Sequence, residues 1–220
     1  MASDIDSVRL AKGRKTTRKN LAAWPLLLLV WPVLASLACK PKTPPVKAGP
    51  CAVIETSMGT ITVRLLADKA PRTVEHFIGL ATGHKQWRDP RTGQVRFDPI
   101  YDGVIFHRVI PGFMIQTGDP SGRGDGDIGY TIADEIDPQA RYDRPGLVGM
   151  ANFGPGTNGS QFFITVGPGQ DLDGRNTLFG RVIEGLDVAT AISKVPREEL
   201  ESSNRPLQPV WIKKVRIVER

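Results

Sequence analysis

The sequence predicts a closed antiparallel β-barrel with two helices at its ends, and three observations favour this fold class. The chain has 220 residues with 23 Gly and 18 Pro, and such turn-rich composition favours many short strands over a helical bundle. Only two segments carry helical periodicity, and strands do not alternate with helices as a parallel sheet requires. A closed barrel leaves no exposed strand edge.

Residues 1–38 are predicted to be an export signal. Residues 1–20 are basic and polar, and the next 18 residues, Leu21–Ala38, are apolar and end in small side chains. A basic segment, an apolar segment and small residues before a cleavage point are typical of such a signal. An uncleaved membrane anchor is an alternative, because an apolar run of this length can just span a bilayer. Pro25 and Pro32 interrupt the run and argue against that alternative.

Cys39 indicates which kind of export to expect. Leu37-Ala38-Cys39 resembles the lipobox of bacterial lipoproteins, in which the cysteine becomes the lipidated first residue, although Ser36 stands where leucine is usual. We therefore expect a lipid anchor on Cys39 at the periplasmic side of a membrane. Cleavage after Ala38 without lipidation, giving a soluble periplasmic protein, is an alternative. Residues 39–50 are rich in Pro and Lys and are expected to be an extended tether to a domain at 51–220.

Charge and cysteine content narrow the classes of partner. The six basic and two acidic residues of the leader give it +4 of the formal net charge of +6, which leaves +2 for the rest. The high isoelectric point is therefore mostly a leader effect, and we expect no nucleic-acid partner. Only Cys39 and Cys51 are present. With Cys39 lipidated, Cys51 is a lone thiol, whereas two unlipidated cysteines could pair in an oxidising compartment.

The domain is predicted to begin with a pair of strands, at 52–56 and 60–65. The second alternates Ile61, Val63 and Leu65 with Thr62 and Arg64, a pattern that predicts a half-buried strand with the two polar side chains on the open face.

A helix is predicted between Pro71, which suits a first turn, and Gly83, which suits a C-terminal end. His76 lies off its apolar stripe and is expected to be solvated. The following residues, 84–103, form a long polar connection, which we interpret as a surface excursion containing a small hairpin. Trp87 and Phe97 are the side chains expected to attach this excursion to the domain.

Two more strands, at 104–109 and 113–117, are predicted on either side of a Pro111-Gly112 turn. Proline pre-sets φ at the second turn position and glycine supplies a positive φ at the third. Arg108 lies beside apolar side chains in this hairpin. A fixed cation in such surroundings suits a largely uncharged substrate with one polar event to stabilise.

The remaining elements are three short strands at 146–152, 161–165 and 177–182, a second helix at 185–194 and a last strand at 210–217. The apolar phase of the last strand slips at Lys213-Lys214, which indicates a β-bulge. Residues 124–129 and 154–159 match the glycine spacing of a dinucleotide fingerprint, but strand-like segments follow both, whereas the fingerprint opens a helix. We therefore expect no nucleotide. Turn chemistry accounts for Asp125 and Asp127, and for Asp171 and Asp173, better than a calcium ion does.

Several motifs together resemble one family, the cyclophilin-type peptidyl-prolyl cis-trans isomerases. The resemblance covers about residues 52–219. It is carried by residues 106–119 (FHRVIPGFMIQTGD), 150–152 (MAN), 158–164 (NGSQFFI), 172–174 (LDG) and 179–180 (FG). It implies an eight-stranded antiparallel barrel capped by two helices, no cofactor and no metal, and a substrate class of proline-containing unfolded or flexible polypeptides. We expect a monomer.

The resemblance also implies which residues form the site. The family's catalytic arginine corresponds to Arg108. The apolar proline pocket corresponds to Phe113, Met114, Phe163 and Leu172, and the polar groups that hold the substrate backbone correspond to Gln116 and Asn152, with Ala151 beside them. Since Phe162 and Phe163 point to opposite faces of a strand, one belongs to the core and one to the site. His107 is expected to be structural and not a general base.

Two positions depart from the family pattern. Asp171 stands where eukaryotic members that bind cyclosporin tightly have Trp, and Asn176, which we include in the substrate site, stands where many members have His. The arginine and the apolar pocket are intact, so we expect X-Pro isomerisation in the folding of exported proteins. A proline-binding chaperone module with little turnover is the alternative.

Overall fold

The computed structural model describes residues 49–199 and 203–220. The predicted signal peptide, Cys39 and nearly all of the predicted tether lie outside the described residues. Within the two described ranges, no helix combines the length and the apolar content that crossing a membrane would need.

Eight strands form one antiparallel sheet, and a separate two-stranded hairpin accompanies it. The strands are β1 (Pro50–Thr56), β2 (Gly59–Leu65), β3 (Trp87–Arg88), β4 (Val95–Arg96), β5 (Arg108–Ile110), β6 (Met114–Thr117), β7 (Leu147–Met150), β8 (Phe162–Thr165), β9 (Leu178–Glu184) and β10 (Ile212–Glu219). The helices are α1 (Pro71–Thr82) and α2 (Leu186–Ser193), with a short 3₁₀ helix at Gln170–Leu172. The order in the large sheet is β10-β1-β2-β9-β7-β8-β6-β5, and β3 pairs with β4.

The segment before β5 closes the sheet against the start of β10. The backbone N–H of Phe106 donates to the Val210 carbonyl at 2.9 Å, and the N–H of Ile212 donates to the Val104 carbonyl at 2.7 Å. Residues 104–106 therefore close the barrel, and this explains why β5 is shorter than the strand predicted at 104–109. The predicted eight-stranded antiparallel barrel with two helices is confirmed.

The main core lies inside the barrel and beneath α1. The ring of Phe77 packs against those of Tyr101, Phe162 and Phe179, with centroid distances of 5.0, 5.4 and 5.3 Å. All four side chains are essentially inaccessible to solvent. The apolar stripe of α1 therefore anchors the helix to the barrel.

Helix α1 has the predicted ends, but its flank is covered where solvent was expected. Gly83 has φ 75°, and a Cβ there would lie 2.8 Å from the Phe97 carbonyl oxygen, so the position requires glycine. The expectation that His76 is solvated is wrong: the side chain is 1% exposed, and its Nε2 donates to the Gly159 carbonyl at 2.8 Å. A loop distant in sequence covers this flank, which helical periodicity does not reveal.

Strand β2 is buried on both faces from Ile61 onward, so the half-buried interpretation is wrong. Polar groups from elsewhere in the chain satisfy its outward side chains. The Thr62 hydroxyl donates to Glu184 at 3.0 Å, and Arg64 Nη1 donates to the Arg220 carbonyl at 2.8 Å.

The excursion at 84–103 contains the predicted small hairpin, formed by β3 and β4. Trp87 is buried, and its indole Nε1 donates to the Asp98 carbonyl at 2.9 Å. Phe97, by contrast, is 68% exposed, so the expectation that it attaches the hairpin is wrong. The guanidinium of Arg96 lies 5.0 Å from the centre of the Trp87 ring and covers it instead.

The bulge predicted at Lys213-Lys214 is confirmed. Glu55 pairs with Lys214 and Thr56 pairs with Ile212, which leaves Lys213 as the additional residue in β10. Both lysines are exposed, so the slip in apolar phase follows the local break in pairing.

Candidate active site

The site is built on the hairpin of β5 and β6. Its turn has the predicted chemistry, because Gly112 has φ 73° and the N–H of Phe113 donates to the Ile110 carbonyl at 3.1 Å. The register places Arg108 directly opposite Gln116. Directly opposed residues project on the same face of a sheet, so the arginine and the glutamine share one wall.

The floor of the site is a small apolar cluster apart from the main core. Met114 and Phe163 are 2% and 3% exposed, and they pack with Tyr142 and Leu147. Phe162 belongs to the barrel core, as strand alternation predicts when its neighbour Phe163 faces the site.

All the predicted substrate residues line one cavity of about 340 Å³. They are Arg108, Phe113, Met114, Gln116, Ala151, Asn152, Phe163, Leu172 and Asn176, and the same cavity is lined by Asp171 and Arg175. Three sequence-distant segments meet here: the β5–β6 hairpin, the ends of β7 and β8, and the loop that contains the 3₁₀ helix. Sequence reasoning missed Arg175, whose only signal is its place in the turn between the resembling LDG motif and Asn176.

Arg108 is half-buried, and its guanidinium has no hydrogen bond or ion pair with any residue in 49–199 or 203–220. Burial lowers the pKa of its guanidinium from the ordinary value, yet a guanidinium remains protonated at neutral pH. The cavity therefore contains a fixed positive charge whose N–H donors are available to a ligand.

The side chain of Asn152 is committed to the protein. Its Nδ2 donates to the Arg175 carbonyl at 3.0 Å, and its Oδ1 accepts from the Gly154 N–H at 3.3 Å. No described residue bonds the backbone N–H or C=O of Asn152. A polypeptide in the cavity would therefore meet the Asn152 backbone as donor and acceptor.

Asn176 braces the opposite wall. Its side-chain Nδ2 donates to the Met150 carbonyl at 2.8 Å, and its backbone carbonyl accepts from the Tyr142 hydroxyl at 3.2 Å. The amide oxygen is the part of this side chain left to face a ligand. Asn176 thus joins the end of β7 to the loop that contains Leu172.

His107 is only 6% exposed and is not among the residues that line the cavity. Burial lowers the pKa of its imidazole to about 4, with the Asp119 charge opposing this shift. The ring is therefore neutral near pH 7, and it does not line the place where a substrate would lie. This geometry agrees with the structural role expected for it.

Comparison with known proteins connects this geometry to a family. The family model for cyclophilin type peptidyl-prolyl cis-trans isomerase/CLD matches residues 51–217. The chain is 48% identical over 171 residues to peptidyl-prolyl cis-trans isomerase B of Streptomyces anulatus, covering 77% of this chain and 97% of that protein. It is 48% identical over 168 residues to peptidyl-prolyl cis-trans isomerase A of Mycobacterium tuberculosis, covering 76% and 91%.

Solved structures show the same fold. A crystal structure of a cyclophilin type peptidyl-prolyl cis-trans isomerase from Cryptosporidium parvum superposes with a TM-score of 0.65 at 33% identity, covering 77% of this chain and 98% of that one. A second crystal structure from that organism, determined in the presence of the dipeptide Ala-Pro, gives the same TM-score at 32% identity and covers 77% and 99%.

The barrel, its pocket and these relatives define a protein of the isomerase class. The chain belongs to the cyclophilin-type peptidyl-prolyl cis-trans isomerase family. It is an enzyme of that kind, a peptidyl-prolyl cis-trans isomerase.

Proposed function

We propose that this enzyme accelerates rotation about X-Pro bonds in exported polypeptides, and that Arg108 stabilises the twisted amide. The observation that carries this proposal is the half-buried guanidinium without a protein partner in the described ranges, set above an apolar floor. The Cryptosporidium parvum structure determined in the presence of Ala-Pro supports a proline-containing ligand for this fold.

The chemical problem is a barrier of about 18–20 kcal/mol that arises from amide resonance. The two isomers of an X-Pro bond differ by only about 0.5–1 kcal/mol, yet they exchange in tens to hundreds of seconds. Twisting the bond localises a lone pair on the prolyl nitrogen. A hydrogen bond from a guanidinium N–H to that nitrogen is stronger in the twisted state than in either planar state. It therefore lowers the barrier to rotation.

The other residues of the cavity hold the two ends of the rotating bond. Met114 and Phe163 offer an apolar seat for the proline ring, while Gln116 and the backbone of Asn152 offer hydrogen bonds to the flanking peptide groups. With the ring seated and one flank held, rotation is confined to the other flank. Such positioning reduces the entropy that the reaction must lose.

A protease-coupled assay on an Ala-Pro peptide tests the role of Arg108. We expect Arg108→Ala to lower kcat/KM by about 10²–10³, the usual effect of removing one donor from a preorganised site. Arg181→Ala is the matched control, since Arg181 is an exposed arginine on β9 outside the cavity. Turnover by Arg108→Ala equal to the unaltered enzyme would contradict the mechanism. Peptide binding without turnover in the unaltered protein would favour the proline-binding module.

We also propose that the protein is exported and anchored by a lipid on Cys39 at the periplasmic side of a membrane. The support comes from the leader, from the motif at Cys39 and from the burial of the second cysteine. Cys51 lies in β1 with 0% exposure, so a disulfide to Cys39 would require this strand to open.

Intact mass of membrane-extracted protein tests the anchor. We expect a chain that begins at Cys39 and carries acyl groups, and we expect Cys39→Ser to abolish the acyl mass and the membrane association. A soluble unlipidated chain beginning at Cys39 would favour the periplasmic alternative. A chain retaining residues 1–38 in the membrane would favour the uncleaved anchor.

A further inference from the structure

Behind Gln116, residues 119–126 fold around one buried carboxylate. Asp119 is 0% exposed and accepts from the Ser121 N–H and hydroxyl at 2.7 Å each, from the Gly124 N–H at 2.6 Å and from the Gly126 N–H at 3.1 Å. Burial alone raises the pKa of this carboxyl, but the hydrogen bonds outweigh it and hold the pKa below its ordinary value. A Cβ at Gly126 would lie 2.0 Å from Asp119 Oδ1. The glycines of this loop therefore make room for the buried Asp119 carboxylate and donate hydrogen bonds to it.

Two glutamine side chains connect this loop to the cavity. Gln161 Nε2 donates to the Gly124 carbonyl at 3.0 Å, and Gln116 Nε2 donates to Gln161 Oε1 at 3.0 Å. We call Gly124, Gln161 and Gln116 the amide relay. Gln161 is 4% exposed, while Gln116 lines the cavity.

The direction of the amide relay is set at its buried end. A backbone carbonyl can only accept a hydrogen bond, so Gln161 must turn its NH₂ group towards Gly124 and its oxygen towards Gln116. Gln116 must then turn its NH₂ group towards Gln161. Its Oε1 has no partner among the described residues and is left as an acceptor for a ligand.

We propose that Gln161 is a positioning residue, which the Asp119 loop directs and which fixes the amide orientation of Gln116 towards the bound polypeptide. The proposal rests on the substrate-holding role proposed for Gln116. A primary amide without such an anchor has two orientations that exchange donor for acceptor, and it keeps its rotamer freedom until the substrate binds. The amide relay removes that freedom before binding, which is the advantage of preorganisation.

A double-mutant cycle with methionine, which is similar in length but lacks strong hydrogen-bonding groups, tests this coupling. We expect Gln161→Met to lower kcat/KM by about tenfold, because Gln116 regains its rotamer freedom. The double variant Gln116→Met/Gln161→Met should be no slower than Gln116→Met alone, because Gln161 acts only through Gln116. Gln94→Met, in the distant hairpin, is the control and should retain full turnover. Losses that simply add would overturn the proposal.

A second variant separates positioning from structural support. Glutamate at position 161 can still accept from Gln116, but it places a charge in a buried position, so Gln161→Glu should be less stable than Gln161→Met. A positioning role predicts the opposite order for turnover, with Gln161→Glu faster than Gln161→Met. A turnover order that follows the thermal stability of the variants would overturn the proposal.

The outcomes also separate this proposal from the one on which it rests. Full turnover by Gln116→Met would remove the substrate-holding role of Gln116 and the amide relay with it. If Gln116→Met loses turnover while Gln161→Met keeps it, the amide relay alone would be overturned. Slow exchange of the Gln116 side-chain NH₂ hydrogens in ¹⁵N NMR, lost in Gln161→Met, is the expected spectroscopic signature; fast exchange in the unaltered protein would overturn the relay.

Discussion

The guanidinium of Arg108 contrasts with two buried carboxylates of the domain, those of Asp119 and Asp89. Asp119 accepts four hydrogen bonds, and Asp89 accepts from Arg91 and Arg96. The guanidinium of Arg108 is half-buried with no such partner in the described part of the chain. A charge removed from water without a partner costs stability. We infer that this cost is retained because of the role proposed for Arg108, in which its donors stabilise the twisted amide.

That inference predicts a trade-off between stability and activity. Arg108→Met keeps the apolar stem but removes the charge, so we expect the free energy of unfolding to rise by about 0.5–1 kcal/mol while turnover falls. Urea unfolding and the protease-coupled assay measure the two quantities. Arg181→Met, on the exposed face of β9, should change neither. A less stable Arg108→Met would contradict the inference.

His76 makes the stability of the fold depend on pH. Burial is the main cause that lowers the pKa of its imidazole to about 4 from 6.5; the Lys85 charge acts in the same direction, and the hydrogen bond to Gly159 opposes it. Below about pH 6.5 the imidazole of His76 takes up a proton in the unfolded chain but stays neutral in the folded chain. The free energy of unfolding should therefore be greatest above that pH and decrease towards pH 4, by about 1.4 kcal/mol per pH unit.

Urea unfolding at about pH 7.5 and about pH 5 tests this dependence. Glutamine can still donate to the Gly159 carbonyl and does not titrate, so His76→Gln should flatten the decrease. His107, whose pKa is also lowered to about 4, should account for the slope that remains. An unchanged slope in His76→Gln would show that His76 does not carry the effect.

At the scale of elements, the floor of the site depends on how closely strand β7 approaches β8. Gly149 pairs with Phe163, and a Cβ at position 149 would lie 2.4 Å from Phe163 Cζ and 2.2 Å from the Tyr142 hydroxyl oxygen. The absence of a side chain therefore lets the Phe163 ring lie against the strand. The sheet and the cavity floor share this one position.

Gly149→Ala should move the Phe163 ring towards the cavity. We expect KM for a proline peptide to rise more than kcat falls, because the ring seat changes while Arg108 does not. Overpacking should also lower the free energy of unfolding by about 1–3 kcal/mol. Gly159→Ala, whose Cβ would meet only Ile128 at 4.0 Å, is the matched control. A normal KM in Gly149→Ala would show that Gly149 does not determine the shape of the pocket.

At the scale of the molecule, the site exists only once the barrel has formed. The hairpin with Arg108, the strand with Phe163 and the loop with Leu172 become neighbours through the pairing of β6 with β8 and of β8 with β7. Every strand of the barrel lies between Pro50 and Glu219. The candidate active site therefore belongs to this part of the chain.

A chain that begins at Gly49 should consequently fold and turn over proline peptides with the kcat/KM of the full-length protein. Circular dichroism reports the fold and the coupled assay reports turnover, with the full-length protein in detergent as the reference. A folded but inactive shorter chain would show that residues 1–48 contribute to the site.

The sequence alone determined the features that depend on local chemistry. The Pro111-Gly112 turn, the glycine end of α1, the opposed faces of Phe162 and Phe163 and the bulge at Lys213 follow from backbone preferences and strand alternation. The resemblance then indicated the residues that the fold gathers around the cavity. The proposed roles of those residues remain predictions for the variants described above.

Only the tertiary structure decided what distant segments cover or leave open. The burial of His76 and Thr62, the exposure of Phe97 and the closure of 104–106 against 210–212 all depend on neighbours far away in the chain. The unpartnered state of Arg108 in the described ranges and the direction of the amide relay depend on the same through-space relations. Periodicity reports which face of an element is apolar. It does not report which other segment packs against that face, because the partner is fixed by the pairing of the whole sheet.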